Sequence, residues 1–216
     1  MYMKLVDLSV KAFLEEVDST KPAPGGGSVA ALSSALGIGL ISMVGKITTT
    51  KKKFQKFSKE LQLEFYDVLN ALEIMVKEML HLVEADTEAF TEIMKAYQLP
   101  SDTIDQEKAR KESIKKATEH AILIPIKVAS LSLSAFHHMP FMTEHGLKTA
   151  ISDLGVAALN LSTGVDGACM NALINLPGLE DPIAERQYKN QVDQIMEEAH
   201  QMRDEILEKV YEFLRS

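Results

Sequence analysis

Apolar residues recur at three- and four-residue intervals along most of the chain, and that spacing predicts helices almost end to end. Residues Ser9 to Val17 predict a short helix with Phe13, Leu14 and Val17 on one side. From Ser58 to Tyr97, Leu61, Phe65, Val68, Leu72, Met75, Met79, Leu82, Val83, Phe90 and Ile93 form one long stripe. Leu99-Pro100 ends it. Another helix is expected from Asp102, surface-like through Lys116 and strongly apolar from Ala121, with a kink at Pro125. The alternation over Ser130 to Phe136 mimics a strand, but the chain offers no partner strand, so it reads as helix. Leu147 to Leu176 predicts a further helix. Asp181-Pro182 suits the start of a last one, whose stripe (Val192, Ile195, Met196, Ala199, Met202, Ile206, Val210, Phe213) leaves a charged outer face.

One stretch departs from this amphipathic pattern. Between Val29 and Gly45 no residue is charged, and Ala, Gly and Ser dominate. So many small residues give little helix propensity, so the segment is expected to be helical because it is buried, with neighbouring backbones close to it. Pro22, Pro24 and three glycines precede it, and Ser28 is placed as its N-cap. Thr48 to Lys53 ends it. The expected architecture is all-α: residues 1–216 form a single-domain bundle of long antiparallel helices around this Ala/Gly-rich central helix.

Composition narrows the function classes. With 216 residues, 46% hydrophobic and 25% charged, the chain can bury a sizeable core. A formal net charge of -8 argues against a nucleic-acid binder. The single cysteine, Cys169, allows neither an intrachain disulfide nor a cysteine metal cluster. His137 and His138 are adjacent and face different ways, so a helix-end cation role is favoured over metal binding. The Val29–Gly45 run is short for a membrane span and rich in Gly and Ser, and the N-terminus lacks a signal-type apolar region. A cytoplasmic protein without membrane partners is expected.

Four features carry candidate chemistry. Gly25, Gly26 and Gly27 before a helix start let the backbone approach a ligand that accepts from free N–H groups; a plain tight turn is the other reading. Asp86 has Leu82, Val83, Ala89 and Phe90 as its helical neighbours, which places a carboxylate on an apolar face, while Glu84 and Glu88 fall away from it. Desolvation there raises its pKa toward neutrality and suits acid–base work; a structural capping role fits the same position. Asp153, Asn160, Gly164, Asn171 and Asn175 fall within roughly 60° of one another on a helix, a stripe read as ligand-contacting, as solvated, or as a helix–helix contact in a dimer. Lys46, Lys51, Lys52 and Lys53 gather positive charge, as a solvated loop or as a seat for a carboxylate-bearing ligand tail.

Three of these stretches match one pattern in order: Pro22-Ala23-Pro24-Gly25-Gly26-Gly27-Ser28-Val29-Ala30-Ala31; Val83-Glu84-Ala85-Asp86 through Ala89-Phe90; and Ser152-Asp153-Leu154 with Asn171-Ala172-Leu173-Ile174-Asn175-Leu176. Together they resemble the formimidoyltetrahydrofolate cyclodeaminase / methenyltetrahydrofolate cyclohydrolase family over nearly the whole chain. The transferase half of the bifunctional relatives is not in the sequence, so a stand-alone form is expected. The resemblance implies a homodimer with a tetrahydrofolate derivative as substrate and no tightly bound cofactor or metal. It places Asp86 at the family's catalytic aspartate. It implies that Gly25, Gly26, Gly27 and Ser28 approach the ligand. Asp153 and the asparagines Asn160, Asn171 and Asn175 would contact the pterin or polarise the leaving group, and Lys51 and Lys52, with Lys46 beside them, would hold the glutamate tail. Cyclodeaminase is the first expected activity, cyclohydrolase the second; an inactive helical dimer module is the reading from another class.

Overall fold

The computed structural model describes residues 4–216; the N-terminal reading for residues 1–3 lies outside the described residues. Among the described residues seven α-helices follow one another: α1 (Val10–Val17), α2 (Gly26–Thr49), α3 (Lys59–Tyr97), α4 (Ile104–Phe136), α5 (Met139–His145), α6 (Ile151–Asn175) and α7 (Pro182–Arg215). Short 3-10 turns join several of them, and no strand occurs among the described residues. The all-helical expectation is met.

Local chemistry sets most helix ends. Ser9 accepts from the Ala12 N–H and Ser58 from the Leu61 N–H. Thr103 and Gln106 form a reciprocal capping box at α4. Asp181 accepts from Ile183 and Ala184 ahead of α7, with Pro182 in the first turn. The end of α2 lies at Thr49, where Thr48, Thr49 and Thr50 turn their hydroxyls back onto the carbonyls of Val44, Lys46 and Ile47. Pro125 does not end α4, which continues through it to Phe136. Nor does Thr163-Gly164 break α6.

One expectation fails at a helix start. Ser28 is not the N-cap of α2; Gly25 is, without a side-chain cap. The helix begins three residues earlier than the cap reading allowed, so Ser28 sits in the first turn, fully buried, and directs its hydroxyl to α3 instead.

Contacts along the helices show how they run. Ser28 meets Val83 and Asp86 while Gly45 packs on Leu69, so α2 and α3 are antiparallel. Gly26 lies beside Asn171, Ala30 beside Gly167 and Gly37 beside Ala157, so α2 and α6 are antiparallel as well. Glu92 pairs with His120, and Glu78 with Lys127, between α3 and α4; Asp166 pairs with His200 between α6 and α7. The α2–α6 contact is the tightest. A Cβ on Gly164 would fall inside the Ser34 hydroxyl and 3.0 Å from the Ala30 carbonyl. Small residues on both helices let their backbones come this close.

By length and hydropathy, α2 and the stretch Ile104–His145 could each pass for a membrane span. Here 61% of the apolar window in α2 and 50% of that in the other stretch are buried inside the bundle. The far end of α2 is sealed by an aromatic cluster, in which the buried Phe65 ring lies 5.3 Å from Phe54 and 4.8 Å from Phe141.

Candidate active site

Antiparallel packing brings the start of α2, the second half of α3 and the end of α6 to the same level. The cleft between them holds about 190 Å³. Pro22, Ala23, Gly25, Gly26 and Gly27 form one wall, Asp86, Ala89, Phe90 and Ile93 a second, and Ala121 of α4 with Asn171 and Asn175 of α6 the rest. The Ala23–Pro24 peptide is cis.

Asp86 is the acidic residue of this cleft. Its carboxylate lies directly over Gly27: a Cβ on that glycine would fall inside the carboxylate group. Glycine is needed there for space, so that an acid on α3 can reach the first turn of α2. The Ser28 hydroxyl lies 3.2 Å from Asp86 Oδ2, 2.9 Å from the Val83 carbonyl and 3.2 Å from the Thr87 hydroxyl. It carries one proton, so Asp86 and Val83 compete for it. An ionised Asp86 draws that proton; a neutral one leaves it to Val83.

Burial pushes the Asp86 carboxyl above the usual carboxylate range, and hydrogen bonds from the Ser28 hydroxyl and backbone N–H pull it partly back. Leu82, Val83, Ala85 and Ala89 around it are buried. An acid in such a setting exchanges a proton nearer neutrality than an exposed one. At the N-terminus of α2 the Ser28 N–H is taken by Asp86 and Gly25 supplies no side-chain cap, which leaves the N–H groups ahead of Ser28 to an acceptor on a ligand.

Gly25, Gly26, Gly27, Ser28, Asp86, Asn171 and Asn175 therefore converge. The other candidates do not join them within one protomer. Asn160 turns its amide onto the Val156 carbonyl of its own helix and stands about 16 Å along α6 from Asn171. Asp153 is about 27 Å along the same helix. Gly164 faces α2, and its place on the polar stripe reflects close packing. Lys46 is exposed on a shallow groove with Glu73 and Lys77, and the exposed Lys51 and Lys52 lie beyond the other end of α2, which is about 34 Å along the helix from Gly26. His137 ends α4 and pairs with Glu198 of α7 at 2.9 Å.

Thr87, Ile93 and Ala121 were not singled out from the sequence. Apolar residues carry the same periodicity in a cleft wall as in a core, so nothing marked Ile93 or Ala121. Thr87 could have been suspected as the hydroxyl next to a buried acid.

Known proteins resemble this chain over most of its length. The formiminotransferase-cyclodeaminase family model matches residues 9–194. The formimidoyltransferase-cyclodeaminase of Rattus norvegicus is 32% identical over 195 residues, which cover 90% of this chain and 35% of the rat protein. The chain thus spans about a third of that relative's length. The methenyltetrahydrofolate cyclohydrolase of Methylorubrum extorquens is 31% identical over 94% of this chain and 95% of its own length. The crystal structure of formiminotetrahydrofolate cyclodeaminase from Thermotoga maritima superposes with a TM-score of 0.78 at 25% identity, covering 98% of both chains. With the family model spanning most of its length and relatives above 30% identity matched over 90% or more of the chain, the chain belongs to the formiminotransferase-cyclodeaminase family.

Proposed function

We propose that the protein is a folate one-carbon enzyme whose first activity is that of a formimidoyltetrahydrofolate cyclodeaminase. The observation that carries this reading is the Asp86 carboxyl, desolvated in a cleft yet hydrogen-bonded to Ser28. Ring closure needs one group that takes a proton and returns it. N10 of the substrate attacks the carbon of the protonated formimidoyl group on N5 (N5–CH=NH2+), forming the N10–carbon bond as the C=N pair moves onto the outer nitrogen. Asp86 takes the N10 proton as that bond forms. It then gives the proton to the departing nitrogen, the carbon–nitrogen bond breaks, and ammonia leaves with the 5,10-methenyl ring behind it. A carboxyl raised toward neutrality serves both halves of this exchange. The Ser28 proton follows the charge on Asp86, swinging to it when ionised and back to Val83 when neutral.

Cyclohydrolase activity is the second reading, favoured by a relative of that name matching over 95% of its length. In it Asp86 takes a proton from water as the water oxygen adds to the methenyl carbon, then returns it to N5 as the N5–carbon bond breaks; the hydroxyl proton leaves to solvent as the 10-formyl carbonyl forms. The same cleft serves both reactions. A homodimer is part of the proposal. Lys51 and Lys52 stand so far from Gly26 that they can hold the glutamate tail only if a second copy brings them to the cleft. A Lys51→Ala/Lys52→Ala variant that binds polyglutamylated folate as well as wild type removes that role.

The deciding experiment offers 5-formimidoyl- and 5,10-methenyltetrahydrofolate separately and follows methenyl absorbance and ammonia. Methenyl build-up with ammonia release establishes the cyclodeaminase. Methenyl loss alone establishes the cyclohydrolase. No change with either substrate refutes both and leaves an inactive helical module.

A further inference from the structure

Pro125 lies well inside α4, four residues after Ala121. Within a helix, each N–H donates to the carbonyl four residues back, and proline has no N–H to give. The Ala121 carbonyl is therefore left without its helical donor, in a residue that lines the cleft. The donor it finds comes from α6: Asn175 Nδ2 lies 3.3 Å from the Ala121 oxygen. The same nitrogen lies 2.8 Å from the Asn171 carbonyl, and Asn171 Nδ2 lies 2.7 Å from the Gly167 carbonyl.

An amide nitrogen has two hydrogens, and both of those on Asn175 are directed at carbonyls. This fixes which way the amide points, since the reverse orientation would set its oxygen against two carbonyl oxygens. Neither Asn175 Oδ1 nor Asn171 Oδ1 accepts a hydrogen bond among the described residues. The Asn171 amide lies beside Gly26, at the start of α2. One side of the cleft thus offers acceptors and the other, at the α2 N-terminus, offers donors.

We infer that Pro125 is a positioning residue: by leaving the Ala121 carbonyl without a helical donor it anchors the Asn175 amide, so that Asn175 and Asn171 present a pair of oxygens to N–H groups of the ligand. The ligand's identity rests on the proposed folate function. The pterin ring carries an amino group and ring N–H groups along its edge, which such a pair satisfies. A ligand without N–H donors would leave both oxygens unpaired, an unfavourable burial.

Two measurements on the full chain test the link. In 15N NMR of the ligand-free protein, the Asn175 side-chain amide exchanges slowly. In Pro125→Ala the restored N–H takes the Ala121 carbonyl and exchange quickens. In kinetics, Pro125→Ala raises KM about three- to tenfold, the worth of one hydrogen bond, with kcat nearly unchanged. Asn175→Ala raises KM at least as much, and adding Pro125→Ala to it changes nothing more. Asn175→Asp places a carboxylate against the Ala121 oxygen. There Pro125→Ala relieves the repulsion by supplying that oxygen with a donor, and KM partly recovers. A purely structural proline gives none of this pattern. Unchanged exchange and KM in Pro125→Ala overturn the inference, as does an equal KM increase in the wild-type and Asn175→Ala backgrounds. Absence of folate turnover by the wild-type protein refutes the folate reading instead, and the exchange rates alone then decide the Pro125–Asn175 link.

Discussion

Asp86→Asn keeps the side chain's shape and removes the proton it trades. Turnover of the formimidoyl or methenyl substrate is expected to fall by about 10²–10⁴-fold with KM little changed. A folded Asp86→Asn protein with near-full kcat removes Asp86 from the chemistry. The raised carboxyl also fixes two pH dependences. The acid limb of kcat/KM lies above the ordinary carboxylate range, because the base must be ionised and burial opposes that. Ser28→Ala deletes a hydrogen bond that lowers this pKa, so the limb moves to higher pH; a limb that stays put or moves down contradicts the assignment. For stability the sign is opposite to that of a salt-bridged acid. A folded pKa above the unfolded one favours folding at low pH, and that contribution is lost as pH rises through the folded value. Asp86→Asn lacks this loss, so its stability relative to wild type improves from acid to neutral pH, which denaturant melts at several pH values will read.

At the scale of helices, close approach decides function and stability at different glycines. Gly27→Ala drives a methyl group into the Asp86 carboxylate, so α2 or the acid must move. Its turnover is expected to fall as far as that of Asp86→Asn, and retention of full activity would show that the contact is dispensable. Gly164→Ala meets the Ser34 hydroxyl, which is itself held 2.6 Å from Ser132 of α4. The variant is expected to lose about 1–3 kcal/mol, as overpacked cores do. Adding Ser34→Ala, which removes the obstructing oxygen, recovers part of it; denaturant midpoints measure both. These helices were legible in the sequence because apolar spacing survives tertiary packing. The starts of α1, α4 and α7 were readable from Ser9, from the Asp102 region and from Asp181-Pro182. The start of α2 was not, since a serine three residues into a helix and a serine capping one look alike until the neighbouring helix is in place. The polar stripe of α6 reaches the cleft only in part within one protomer, for a related reason. One helical angle joins Asn171 and Asn175 in the cleft, Gly164 against α2 and Asn160 bonded to its own backbone, and angle carries no information on what stands opposite.

For the whole molecule, the homodimer proposed above has a candidate surface. On α2, Val29 and Leu36 are exposed with Leu32, Leu40 and Met43 partly so; on α6, Val156, Leu159, Met170 and Ile174 are exposed. Val29, Leu36, Val156 and Met170 each stand one residue before a position at the α2–α6 contact, Ala30 and Gly37 on one helix and Ala157 and Asn171 on the other. In antiparallel helices that offset turns both stripes to the same side of the pair. The result is one broad apolar face on a protein whose formal net charge is -8. Faces of this kind mark association sites, and a self-complementary face closes as a two-fold dimer. The protein is therefore expected to sediment at twice its chain mass. Leu36→Asp, at a position 57% exposed, should leave the helices intact by circular dichroism and yield monomer. If the monomer also loses affinity for polyglutamylated folate while the Asp86 cleft still turns over the monoglutamate, Lys51 and Lys52 act across the interface. If Leu36→Asp remains a dimer, the second copy docks elsewhere and this face needs another occupant.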